Sequence, residues 1–105
     1  MAELLRPEAV QVLLEEVPNW RLSDNSIERT LTFEGFPAAI EFVVRLARDA
    51  EEMNHHPDID IRWNKVKLVL STHSADGLTD LDFLLARKID KLGVTTKRPA
   101  ADEGG

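Results

Sequence analysis

The histidines of this chain are His55, His56 and His73, three in 105 residues, and they fall in two short segments. These are Glu51-Glu-Met-Asn-His-His-Pro57 and Ser71-Thr-His73. An unperturbed imidazole titrates close to neutral pH, so each can give or accept a proton under ordinary working conditions. A small domain whose whole histidine supply sits in two segments points to one built site. General acid–base catalysis is the chemistry such a set serves, each well-placed imidazole contributing roughly 10²–10⁴ in rate. Two other readings stand beside it. Three imidazoles could hold zinc, but no carboxylate fourth ligand is evident, and adjacent residues such as His55 and His56 point apart in extended chain. The histidines could also simply hydrogen-bond at a surface loop.

The rest of the chain must position these segments. Pro7 and Glu8 suit a helix start, and Val10, Leu13, Leu14 and Val17 recur at helical spacing until Pro18 stops the run. Trp20-Arg-Leu22 and Ile27-Glu-Arg-Thr-Leu-Thr-Phe33 flank the turn formers Ser23-Asp-Asn-Ser26 and predict a β-hairpin. Its buried side carries Ile27, Leu31 and Phe33, with Arg29 an exception. After Gly35-Phe-Pro37, the residues Ile40, Val43, Val44, Ala47 and Ala50 trace the apolar face of a long helix ending near Met53-Asn54. Pro57 favours an extended conformation at His56.

Ile59, Ile61 and Trp63, then Val66, Leu68 and Leu70, alternate with other residues around Asn64-Lys65, which predicts a second hairpin. It carries His56 near its start and His73 near its end, so both come towards the same edge of the sheet. Thr79 fits an N-cap with Asp82 three residues on, where a capping-box carboxylate reaches back. Leu81, Leu85, Ile89 and Leu92 continue that last helix and Gly93 ends it. The order α-β-β-α-β-β-α gives an α+β fold, a four-stranded antiparallel sheet with helices packed on one face. The other face, with Thr30, Thr32, Lys67 and Val69, is left to solvent or to association.

A length of 105 residues gives one compact domain, expected over residues 1–96, with a flexible polar tail over 97–105. Without cysteine there is neither a disulfide framework nor a thiolate metal site. A net charge of −6 without a basic cluster argues against direct nucleic-acid binding. No apolar run is long enough to span a membrane, and Met-Ala-Glu-Leu-Leu-Arg lacks the features of a secretory signal. A cytoplasmic protein is expected.

Several of these residues recur together in a known pattern. Glu51-x-x-x-His55-His56-Pro57, Trp63-Asn64-Lys-Val66, Leu70-Ser-Thr-His73 and Gly77-Leu-Thr79-x-x-Asp82 resemble the pterin-4a-carbinolamine dehydratase family, also known as the dimerisation cofactor of a hepatocyte nuclear factor. The likeness covers nearly the whole chain. It implies dehydration of a 4a-hydroxytetrahydropterin to the quinonoid dihydropterin, the step that recycles the cofactor of aromatic amino-acid hydroxylases. No metal or organic cofactor is implied.

By the resemblance, His55, His56 and His73 are the active-site histidines. Our own assignment makes His55 and His73 the proton-transfer pair and His56 the residue that orients the pterin, a division the sequence leaves open. Pro57 and the segment Thr72, His73, Ser74 and Ala75 line the substrate pocket. Glu51 and Asp82 support the site; Glu51 reads equally as a solvated helix residue and Asp82 as the capping partner of Thr79. Trp20 and Trp63 read as core or pocket wall. Asn54 departs from the aspartate that animal members tend to carry, and asparagine cannot use a negative charge to tune a neighbouring imidazole. The resemblance also implies a homodimer or homotetramer. It leaves a second function open, a non-catalytic binding or assembly partner of the coactivator or chaperone kind. Retention of all three histidines favours the enzyme.

Overall fold

A computed structural model of the chain describes residues 3–97. Its elements are α1 (Pro7–Leu14), β1 (Arg21–Ser23), β2 (Ser26–Thr32), α2 (Phe36–Met53), β3 (Asp58–Arg62), β4 (Lys65–Leu70) and α3 (Asp80–Lys97). A 3-10 turn, His73–Ala75, lies between β4 and α3 and has no counterpart in the sequence reading. The strands form one antiparallel sheet in the order β1-β2-β4-β3. The predicted fold class and element order are those observed.

Register explains the core. Ile27 pairs with Leu70, Leu31 with Val66, and Ile61 of β3 also with Val66, so the two-residue period puts them on one face. Ile27, Leu31, Val66, Leu68 and Leu70 are buried there with Phe42 and Leu46 of α2 and Phe83, Leu85 and Ile89 of α3. The opposite face carries exposed Thr30, Thr32, Lys65 and Lys67. Glu28 lies on it too. A hydrogen bond from Arg21, helped by the charge of Lys67, holds its carboxyl below the usual carboxylate range. Stability from these contacts is therefore present at neutral pH and lost as acid protonates Glu28.

Arg29 breaks the apolar pattern because the fold gives it a partner. It pairs with Leu68 across the sheet, and its Nη1 donates to Oδ1 of Asp90 on α3. Trp20 Nε1 donates to the same oxygen at 2.8 Å, from a ring that is buried as expected. Asp90→Ala leaves a guanidinium only 11% exposed without its counter-charge. It is expected to lower stability by about 2–3 kcal/mol in urea denaturation, with Asp90→Asn costing less because its oxygen still accepts from Trp20.

Six expectations are corrected. α1 stops at Leu14 rather than running to Val17. Pro18 disfavours helical backbone at Val17, and the chain tightens through Glu15 N to Val12 O, Glu16 N to Leu13 O and Val17 N to Leu14 O. The buried face of α2 is Ala39, Phe42, Leu46 and Ala50, whereas Val44 is 49% exposed. This helix has apolar residues on two adjacent stripes, and the one with the larger side chains faces the sheet, where Phe42 meets Phe33 at 5.1 Å between ring centroids.

The turn of the second hairpin is Trp63-Asn64, between paired Arg62 and Lys65, one residue before its predicted place. Trp63 is 69% exposed at its tip with a left-handed φ of 56°, so it is not core. Asn64 turns inward instead: its Nδ2 donates to Phe33 O at 2.8 Å, and Phe33 N donates to Asn64 O at 2.8 Å. Helix α3 continues through Gly93 to Lys97, since one interior glycine costs only about 1 kcal/mol. Finally, His56 and His73 share an end of the sheet rather than an edge, because β3 is an edge strand and β4 is internal. Apart from Lys97, the predicted tail lies outside the described residues.

Candidate active site

Three chain segments meet at one end of the sheet. The first is the end of α2. Asn54 takes a left-handed φ of 52°, His55 N donates to Ala50 O at 3.0 Å, and Asn54 N donates to Glu51 O at 3.1 Å. This is a Schellman stop, and asparagine is second only to glycine in tolerating that conformation. The stop turns His55 inward to 8% exposure, and Pro57 then leads into β3. Asn54 thus has a backbone role here. Asn54→Gly is expected to keep thermal stability, whereas Asn54→Val loses about 1–2 kcal/mol, read by thermal or urea unfolding.

The second segment follows β4. Thr72 N donates to Gly77 O at 2.8 Å and Gly77 N returns a bond to Thr72 O at 3.3 Å. These bonds close a four-residue loop, His73 to Asp76, on a buried Thr72. Ala75 N also reaches Thr72 O, at 3.0 Å, and Asp76 completes the turn at a left-handed φ of 59°. Behind the loop, Leu5 N donates to Leu78 O, and a Cβ on Gly77 would lie 2.6 Å from Leu4 Cδ1.

The third segment is the start of α3, where the predicted capping box forms. Thr79 N donates to Asp82 Oδ2 at 2.9 Å, and Leu81 N reaches Thr79 Oγ1 at 3.3 Å.

Asp82 joins all three. It is fully buried; its Oδ1 lies 2.6 Å from His55 Nε2, and its Oδ2 accepts from Thr72 Oγ1 at 2.9 Å. Thr72 Oγ1 and Thr79 Oγ1 are 2.7 Å apart. Asp82 therefore performs both tasks weighed for it, capping α3 and holding His55. Burial with satisfied partners makes this network rigid, since each group left unpaired there costs about 1–3 kcal/mol.

The other histidines are differently placed. His56 Nε2 lies 2.9 Å from Glu51 Oε1, in a pair with side chains 56% and 82% exposed. Such a pair orients a ring but stabilises little. His73 is exposed at the head of the closed loop, one residue from Thr72 and so beside the Asp82 network. Ser74 is exposed, while Pro57 and Ala75 are half-buried. The arrangement offers one imidazole held firmly from behind and two open to solvent, which suits delivery of one proton and removal of another. Among the described residues, no three histidine or carboxylate side chains are grouped to hold a metal ion. The hydroxyl link from Thr79 to Thr72 was missed in the sequence. Its one visible signal, the Thr79-x-x-Asp82 spacing, explains a cap but not a partner seven residues earlier.

Known proteins resemble the chain in sequence and in fold. The family model described as "Pterin 4 alpha carbinolamine dehydratase" matches residues 3–92. A Nocardia farcinica protein named "Putative pterin-4-alpha-carbinolamine dehydratase" is 53% identical over 90 residues, covering 86% of this chain and 95% of its own. A Herpetosiphon aurantiacus protein of the same name is 51% identical over 89 residues, covering 85% and 93%. A solved Brucella melitensis structure, described as a transcriptional coactivator/pterin dehydratase, superposes with a TM-score of 0.84 at 31% identity, covering 87% of this chain and 99% of that one. A pterin dehydratase-like protein described as a RuBisCO assembly factor in the alpha-carboxysome shares the fold, with a TM-score of 0.62 at 20% identity over 72% of this chain and 90% of its own.

Proposed function

Because the chain belongs to the pterin 4 alpha carbinolamine dehydratase family, we propose that it eliminates water from a 4a-hydroxytetrahydropterin to give the quinonoid dihydropterin. The substrate carries a hydroxyl on a ring carbon next to a nitrogen. The carbon–oxygen bond breaks as an imidazolium protonates the hydroxyl, the nitrogen lone pair forms the carbon–nitrogen double bond, and a second imidazole accepts the proton the ring releases. One proton is delivered and one is removed, so the protein needs only to re-equilibrate with water. His55 and His73 are the proton-transfer pair, and His56, oriented by Glu51, binds the pterin. Pro57, Ser74 and Ala75 frame the substrate and the closed Thr72–Gly77 loop presents His73.

The observation that carries this reading is a buried imidazole fixed by a buried carboxylate, His55 against Asp82, at 2.6 Å. The test is stopped-flow decay of freshly generated 4a-hydroxytetrahydropterin. The purified protein is expected to accelerate the decay. Equal rates with and without folded protein would sink the proposal.

Family membership also supports a homodimer or homotetramer, for which the exposed Phe36 and Val44 on α2 and the open β3 edge offer surfaces. The absence of cysteine fits a cytoplasmic location, and no helix among the described residues is long and apolar enough to cross a membrane. A partner-binding role can coexist with catalysis, as the description of the Brucella relative joins the two.

A further inference from the structure

Thr72 is expected among the pocket-lining residues, yet its polar groups are committed within the chain. Its N–H and C=O bond Gly77, and its hydroxyl touches Asp82 and Thr79. The direction of each bond follows from counting protons. A carboxylate only accepts, so the single hydroxyl proton of Thr72 goes to Asp82 Oδ2. The 2.7 Å contact with Thr79 then requires Thr79 Oγ1 to donate and Thr72 Oγ1 to accept. Thr79 Oγ1 in turn accepts from Leu81 N. The hydroxyl chain therefore runs one way, from the first turn of α3 to the carboxylate.

This polarity has a consequence at the other carboxylate oxygen. Oδ2 is filled by Thr72 Oγ1 and by Thr79 N, which leaves Oδ1 facing His55 Nε2. His55 Nε2 must carry a proton to make that bond. In the neutral ring, Nδ1 is then the acceptor, and in the imidazolium it carries the proton not held by Asp82. No partner for Nδ1 is present among the described residues.

We propose that Thr72 is a positioning residue: oriented by Thr79, it pins Asp82 so that His55 is held as the Nε2–H tautomer and Nδ1 is the nitrogen that exchanges protons with substrate. Its place in the reaction rests on the dehydratase reading; its control of the tautomer does not. Thr72→Val keeps the shape of the buried side chain but removes the donor to Oδ2 and the acceptor for Thr79. The carboxylate then loses its fixed orientation, and both tautomers of His55 become accessible.

The test is ¹⁵N NMR of histidine-labelled protein, with the His55 signals assigned by their loss in His55→Gln, beside stopped-flow kinetics. At alkaline pH the wild type is expected to show a protonated Nε2 and a bare Nδ1 at His55, Thr72→Val a mixture of tautomers, and Thr72→Ser the wild-type pattern. Where dehydration is measurable, kcat falls about 10- to 100-fold in Thr72→Val with little change in KM, and Thr72→Ser restores it. A wild-type His55 protonated at Nδ1, or a Thr72→Val protein that folds and keeps the wild-type tautomer, overturns the inference. A wild type that does not accelerate dehydration but shows the Nε2–H tautomer, mixed in Thr72→Val, overturns the dehydratase reading and supports the control of His55 by Thr72.

Discussion

Asp82→Asn is expected to give a folded protein with its dehydration rate reduced by about 10³–10⁴-fold, because the amide reverses the polarity of the bond to His55. Oδ2 accepts from both Thr79 N and Thr72 Oγ1, so the asparagine oxygen must stay on that side. The amide nitrogen then takes the Oδ1 position and donates to His55 Nε2. The ring answers by carrying its proton on Nδ1, the wrong nitrogen for the geometry around it. Steady-state and stopped-flow rates, with circular dichroism as a folding control, check this result. Asp82→Ala is a different lesion. It strands three buried donors at once and is expected to lower stability by about 3–5 kcal/mol in urea denaturation.

His73→Ala is the second large effect, and it separates chemistry from folding. The residue is exposed, with no side-chain bond among the described residues, so stability should change by no more than about 0.5 kcal/mol. Loss of one of two proton-transfer groups should nevertheless cost roughly 10²–10⁴ in kcat. His55→Ala should lose a similar factor in rate and also about 1–3 kcal/mol of stability, because Asp82 then faces a cavity in place of a donor. Rate and urea-midpoint measurements on the two variants therefore form a paired test. Equal stability losses would contradict the placement of one ring inside and one outside, and an unchanged rate in His73→Ala would remove that residue from the mechanism.

Much of the fold was legible because local signals and the two-residue strand period agreed. Ile27, Leu31, Val66, Leu68 and Leu70 alternate cleanly, turn formers separate the strands, and Thr79-x-x-Asp82 marks the start of α3 without ambiguity. The first proline-started helix ended early because a residue before proline resists helical backbone, a constraint weaker in sequence than the apolar spacing around it. In α2 periodicity was insufficient. Val43, Val44, Leu46 and Ala47 crowd two stripes, and only packing against Phe33 and the sheet chooses between them. Trp63 misled through its size, since a large indole suggests a core, yet an inward Asn64 can bond Phe33 at both its N–H and C=O.

The site shows the same division. The histidine segments were identifiable by residue type and spacing, as was the approach of His56 and His73 through a hairpin. Spacing marked Asp82 only as a cap, and the family resemblance alone brought it to the site. The inequality of the histidines was not legible. Nothing in His55-His56 tells which ring is enclosed; that depends on the left-handed turn at Asn54 and on where β3 begins. The Thr72–Thr79 bond depends on a loop closed by Thr72 and Gly77, a tertiary event that no helical or strand period announces.

The contrast between the two tryptophans gives the protein a pair of built-in optical reporters. Trp20 is 4% exposed with its indole N–H bound to Asp90, whereas Trp63 stands 69% exposed at a hairpin tip. Light emitted from the shielded indole lies to the blue and follows the integrity of the core. Emission from the solvated one lies to the red and is open to a dissolved quencher such as acrylamide. Unfolding therefore registers mainly as a red shift of Trp20. A second molecule settling over the β3–β4 turn registers as protection of Trp63 from quenching. Folding and association can thus be followed separately in one cuvette, without a label.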